Sequence, residues 1–314
     1  MTLDVVLFPL LLTGIGRQVV PQYINTAFDL ITSREAICQG FLSQAEDKTR
    51  KANPYIEKAA EFWRKLQNAP DIATMLESIE LKDDLIKAAG FSQKARNRLA
   101  DNELNMALKK VLETIAHKTQ NTDFDIHEEI LYRYLLTMGD ALGGEMRNFT
   151  GAKAGAVFAK AILNSIDSDT VKIRPSPNGK IQKIQWSNRL ILFDKKPKLI
   201  DISIDVILLD NSLELLEKEL LNNREFYLAC GELKGGIDPA GADEHWKTAK
   251  TALGRIRNCF QPMSCPHLFF VGAAIEPAMA EEIFADLNSG QLTHAANFTI
   301  PQQVEDLASW LISL

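Results

Sequence analysis

Near residue 170 the apolar residues of this 314-residue chain change their period, and that change limits the fold more than any other feature. Up to about residue 165 they recur at steps of three and four, as in Ile56, Ala59, Ala60, Trp63 and Leu66, among alanine, leucine, lysine and glutamate. That spacing predicts a helical N-terminal part. Asn53-Pro54 and Asn68-Ala69-Pro70 are expected to break it, Gly90 to end another helix, and 117–125 to form a polar connection.

Beyond the change, Pro175-Ser176-Pro177-Asn178-Gly179 is a turn signal between strands at 171–173 and 181–186. Further strands are expected at 190–193, 199–209, 226–234 and 268–274, and helices at 212–221, 242–258, 277–288 and 302–312. Strands alternating with helices bury a sheet on both faces. The expected fold class is therefore α/β, a mixed central sheet flanked by helices with a large N-terminal helical region, divided into a helical domain over 1–135 and a second domain over 136–314.

Apolar residues at 46% and charged residues at 24% are those of a folded globular chain. The apolar stretch 5–12 contains Pro9, lacks a basic flank and is too short to span a bilayer, so it is read as a buried N-terminal segment. Four cysteines do not make a disulfide framework in a chain of this length, which points to the cytoplasm and to no membrane partner. Cys259, Cys265 and His267 lie close together, but the gap between the cysteines does not match zinc-ligand spacing. The net charge of −6 argues against a simple nucleic-acid binder. Locally the balance reverses: Lys87, Lys94, Arg96 and Arg98 form one run free of acids, and Lys247, Lys250, Arg255 and Arg257 another.

Two short segments carry chemistry. In the expected strand over 199–209, alternation puts Asp201, Ser203 and Asp205 on one face and isoleucines on the other. An acid in so apolar a run is costly to bury unless a cation compensates it. In Cys230-Gly231-Glu232-Leu233-Lys234, Glu232 and Lys234 point to one side. Two carboxylates can hold Mg²⁺ while leaving positions for water and a phosphate oxygen, and an ammonium balances charge growing on the phosphate. Aspartate, a strand of separation and then Glu-x-Lys is the PD-(D/E)XK pattern. The triplet by itself is common, as Glu80-Leu81-Lys82 shows. Its continuation is not: from Gly235 to Gly241 come three glycines and a proline, where backbone can approach a ligand closely. A helix follows with Trp246, Ala249, Leu253 and Ile256 on its core stripe and His245 in its first turn, directed toward the strand end.

The segment 228–257, with its Glu-Leu-Lys-Gly-Gly-Ile-Asp-Pro-Ala-Gly run and a histidine thirteen residues after the glutamate, resembles restriction endonucleases of the AvaI/BsoBI type. A weaker resemblance covers 138–148, and the rest of the N-terminal half shows little. The resemblance implies a Mg²⁺-dependent homodimer that surrounds double-stranded DNA, cuts the degenerate palindrome CYCGRG, and has a cognate DNA methyltransferase as genetic partner. It implies Glu232 as metal ligand, Lys234 as catalytic lysine, His245 as candidate general base and Asp238 as base reader. Either Asp201 or Asp205 can supply the first carboxylate, with Asp205 preferred for its distance from Glu232. Lys247, Lys250 and Arg257, and Lys94, Arg96 and Arg98, are candidates for phosphate contacts. An Asx turn before Pro239 is the plain alternative for Asp238, and helix capping or packing for His245. Competing functions are a repair or mobile-element nuclease on the same core, a DNA-binding module without cleavage, and a nucleotide binder. The last lacks a Gly-x-x-x-x-Gly-Lys-Ser/Thr element.

Overall fold

The structure, a computed structural model, describes residues 21–119, 125–167, 170–262 and 265–314. The segment 5–12 and part of the connection 117–125 lie outside the described residues. The chain divides into two compact units, one of residues 38–150 and one made of residues up to 37 with 151–314.

The first unit is built from α1 (Arg34–Leu66), α2 (Ile72–Glu77), α3 (Ile79–Ala88), α4 (Gln93–Arg96), α5 (Asp101–Thr119) and the start of α6 (Ile126–Ser165). Phe62, Leu66, Met75, Leu85, Leu108, Leu112 and Tyr134 fill its core. Asp71 caps α2 by accepting the Thr74 N–H, and Gly90 ends α3 at φ +81°, a conformation that favours glycine. The break expected at Asn53-Pro54 does not occur, because α1 continues through Pro54. A proline there removes one hydrogen bond at a cost of about 3 kcal/mol. Pro54 is exposed, so water can solvate the freed carbonyl, while Lys51 before the proline and Tyr55 after it both bind Glu145, and Ala59, Phe62 and Leu66 pack the later half into the core.

The second unit holds a seven-stranded sheet in the order of the sequence: β1 (Lys172–Pro175), β2 (Ile181–Trp186), β3 (Arg189–Lys195), β4 (Ile204–Asp210), β5 (Tyr227–Lys234), β6 (His267–Gly272) and β7 (His294–Asn297). Neighbours are antiparallel as far as β5 and parallel from β5 to β7. On one face lie α7 (Glu217–Asn222), α8 (Ala242–Phe260) and α9 (Pro277–Asn288), packing Leu220, Trp246, Leu253, Ile256 and Ile283 against Ile207, Cys230 and Phe270. On the other lie the end of α6 and α10 (Pro301–Ser313), with Phe158, Ile162, Leu307 and Leu311 over Val206, Leu208 and Phe269. The mixed sheet between helices is the fold class expected. Among the described residues no helix is long and apolar enough to cross a membrane, and all four cysteines are free.

Two expected elements are shorter than their patterns. The strand expected from 199 starts at Ile204, because the Ile200 and Asp201 N–H groups both donate to the Pro197 carbonyl and Asp201 takes a left-handed φ of 56°. The helix expected from 212 starts at Glu217, since Asp210 accepts the Ser212 N–H and hydroxyl and the Glu214 N–H donates to the Asn211 carbonyl, holding a turn instead. Strand β7 was not expected. Its sequence, His-Ala-Ala-Asn, has no β-branched residue, and parallel pairing with β6 makes it a strand.

Gly231 on β5 lies so close to Phe269 on β6 that an added Cβ would sit 2.1 Å from the ring. Gly231→Ala should therefore destabilise the protein by about 3 kcal/mol through overpacking, and Phe269→Leu in the same chain should recover part of the loss. Urea midpoints of the wild type, the two single variants and the double variant test this; an alanine that costs the same beside leucine would show that the clash is not the cause.

Candidate active site

The register of β4 and β5 sets the position of the charged groups. Val206 lies opposite Gly231 and Ile207 opposite Cys230, so Asp205 and Glu232 are the next positions toward the end of β5. Ile207 and Cys230 belong to the core under α8. Side chains alternate along a strand, which brings Asp205, Glu232 and Lys234 to that same face.

There they converge. The Lys234 Nζ is 2.8 Å from Glu232 Oε2 and 3.6 Å from Asp205 Oδ2. Asp205 Oδ2 also accepts the Leu233 N–H at 2.8 Å, which ties the aspartate to the β5 backbone. Glu232 is only 4% exposed, and its Oε1 has no hydrogen-bond partner within the protein. Burial raises the Glu232 carboxyl above the usual range, the Asp205 charge adds to this, and Lys234 opposes it. For Lys234, burial works against the ammonium, but the Glu232 and Asp205 charges outweigh it and the pKa is raised. Among the described residues no three histidine, cysteine, aspartate or glutamate side chains gather around a metal position. The donor set here is two carboxylates, one oxygen of which is buried and unsatisfied. Such a set suits a hard divalent cation that keeps water among its ligands.

Asp201 is not part of the cluster. It lies in the turn before β4 with its side chain 84% exposed, paired with Lys196 at 3.0 Å.

After β5 the chain runs through Gly235 and Gly236 to a short 3₁₀ turn at Pro239–Gly241 and then into α8. Asp238 caps that turn, its Oδ1 accepting the Ala240 N–H at 3.0 Å, and its side chain is exposed. His245, half-buried in the first turn of α8, lies against the loop. A Cβ at Gly236 would be 2.8 Å from its Cε1, and one at Gly241 3.5 Å from its Nε2. Neither glycine has a positive φ, so close approach of the imidazole, not backbone conformation, requires glycine at 236, while at 241 a Cβ would make only an ordinary contact.

The basic residues separate by helix face. Lys247 pairs with Asp243 one turn away, and with Arg255 and Thr251 it lines a recess beside Ile202. Lys250 instead reaches Glu282 and Asp286 of α9 at 3.3 and 3.2 Å and lies over the Trp246 ring. Arg257 donates to Gln291. These last two hold α8 to its neighbours. Arg255, which the sequence places in the basic run but does not mark as a phosphate contact, shares this face; successive four-residue steps from Lys247 to Thr251 to Arg255 carry the signal. In the other unit, Lys94 and Arg98 are exposed on and after α4, and Arg96 pairs with Asp83 at 2.8 Å.

A family model described as Restriction endonuclease BsobI matches residues 21–176 and 167–314. The type II restriction enzyme AvaI of Nostoc sp. is 36% identical over 313 residues, covering 93% of this chain and 98% of the relative. AvaI of Anabaena variabilis gives the same figures. The type II restriction enzyme BsoBI of Geobacillus stearothermophilus is 34% identical over 321 residues, covering 93% of this chain and 97% of the relative.

Removing only the ammonium, by Lys234→Met, leaves two neighbouring carboxylates uncompensated and should cost about 3 kcal/mol of stability at neutral pH. Glu232→Gln added to that variant should return most of it. If the double variant unfolds at the same urea concentration as Lys234→Met, the three charges are not coupled.

Proposed function

The chain belongs to the BsobI restriction endonuclease family, and on that premise we propose that it cuts double-stranded DNA with Mg²⁺ at a palindromic site, CYCGRG, as a homodimer. Membership makes it a type II site-specific deoxyribonuclease. The observation that carries the metal-dependent part of this reading is the unsatisfied Glu232 Oε1, buried beside Asp205 and Lys234; the palindrome and the homodimer rest on the family resemblance.

In this reading Asp205 and Glu232 would hold the metal ion. When bound, it would polarise the scissile phosphate and acidify water. Lys234 orients the attacking water and balances negative charge that builds on the phosphate oxygens. His245, held against the glycine loop, accepts the proton of that water. Asp238 accepts a hydrogen bond from a cytosine amine in the major groove; the bond from Ala240 fixes the direction of its carboxylate, so the turn and the reading of a base are compatible.

Lys247 and the group Lys94, Arg96 and Arg98 neutralise phosphates. The surface pairs of Lys247 and Arg96 are worth little and exchange readily for phosphate. Lys250 and Arg257, expected from the sequence on DNA, are assigned to the α8 contacts already described. The helical domain, 1–135, supplies further DNA contacts, and 136–314 carries the chemistry. Two copies related by a twofold axis cut the two strands of a palindrome. The enzyme acts in the cytoplasm, and a cognate methyltransferase protects the host's own sites.

Incubation with plasmid DNA and Mg²⁺ should yield discrete fragments whose sequenced ends define the site; a smear, or a need for damaged or branched DNA, would point to a repair-type nuclease. Glu232→Ala and Lys234→Ala should abolish cutting with binding retained, and full activity in either would refute the assignment. His245→Ala should slow cutting by at least roughly 100-fold, and Asp238→Ala should relax or abolish site preference. Normal turnover in the first, or an unchanged fragment pattern in the second, would remove the corresponding role.

A further inference from the structure

A second concentration of charge lies at the catalytic end of the sheet, outside the motif. Strand β3 ends at Lys195, opposite Ile204 at the start of β4, and β1 ends at Pro175, opposite Ile181 at the start of β2. Antiparallel alternation therefore brings Arg174, Lys195 and the turn after it to the end that carries Asp205 and Glu232. They share its face as well. Arg174 Nη2 and Lys195 Nζ reach Glu217 of α7 at 3.0 and 2.7 Å, and α7 packs through Leu220 into the core that also receives α8.

Around this pairing is an open recess of about 430 Å³ whose charged lining is Arg174, Lys196, Lys198, Lys218 and Glu217. Four cations thus face one carboxylate, which Arg174 and Lys195 already share. The Lys196 partner, Asp201, is so exposed that the pair contributes little. A local positive excess on a chain of net charge −6 is a property of this surface and not of the composition.

We infer that this recess binds the phosphate backbone of the DNA that flanks the cleavage site. The inference rests on the nuclease reading above and extends it to a surface outside the run from Gly231 to Gly241. Three strand spacings separate β1 from β4, about 14 Å at roughly 4.8 Å per strand. Each nucleotide advances a duplex strand by about 3.4 Å, so Arg174, at the β1 side of the recess, meets phosphates about four nucleotides from the one at Asp205 and Glu232. An open recess rimmed by lysines suits a continuous backbone and not a small phosphate ester. Contacts of this kind give affinity and salt dependence without sequence choice.

The test uses Lys198→Ala/Lys218→Ala, at two exposed lysines outside the catalytic cluster. Equilibrium binding is measured against salt concentration on two duplexes: one extending well beyond the cut on both sides, one trimmed to about two base pairs beyond it. On the long duplex the variant should bind about tenfold more weakly, and its salt slope should fall by about one unit per lysine in each protomer. On the trimmed duplex it should match wild type, and the cut position should not move. Unchanged affinity and slope on the long duplex, or an equal loss on both, would overturn the inference. A wild-type protein that neither cuts nor binds duplex DNA would instead sink the nuclease reading, and with it this one.

Discussion

Glu232 holds a carboxylate at 4% exposure between two strands, where an ionised group without compensation costs several kcal/mol. Lys234 supplies part of the compensation from the same strand, two positions on. Asp205 makes the balance worse and is nevertheless tied in place by the Leu233 N–H. A fold optimised for stability alone would not gather these groups. Two negative charges, one positive charge and an unsatisfied buried oxygen make a site that a divalent cation would complete. The position of the remaining elements follows from the need to hold that imbalance still.

Strand β5 is where the sheet changes from antiparallel to parallel pairing. It is covered on both faces, by α8 on one and by α6 and α10 on the other, so its end is rigid. The close contact of Gly231 with the Phe269 ring locks the residue just before the glutamate. Beyond the strand, Gly236 admits the His245 ring, and α8 then returns along the sheet. Strand, loop and helix act as one mount for Glu232, Lys234 and His245, and β4 brings Asp205 beside the first two.

Charge is distributed along the same lines. Helix α8 presents two basic faces with different duties: Lys250 and Arg257 join it to α9 and the Gln291 segment, while Lys247 and Arg255 face the open recess beside Ile202. Across the turn at Pro197 a second recess gathers Arg174, Lys196, Lys198 and Lys218. An acidic chain thereby presents positive surface at the end of its sheet that carries Asp205, Glu232 and Lys234.

The class of fold, the extents of β5 and α8 to within two residues, and the charged groups that share one face of β5 were legible in the sequence, because period-2 and period-3.6 patterns and the run from Gly231 to Gly241 are local signals. The sequence favoured Asp205 over Asp201 only by distance from Glu232, since both fall in one apolar alternation. Only the turn closed by the Pro197 carbonyl, with Asp201 in a left-handed conformation, removed the first from the strand. Nor could local pattern find β7, whose residues pair only because β6 lies beside them. The continuity of α1 through Pro54 and the division of the α8 cations between helix contacts and open surface were decided the same way. Each depends on which distant backbone or side chain is a neighbour, and that is set by packing, which a one-dimensional pattern does not contain.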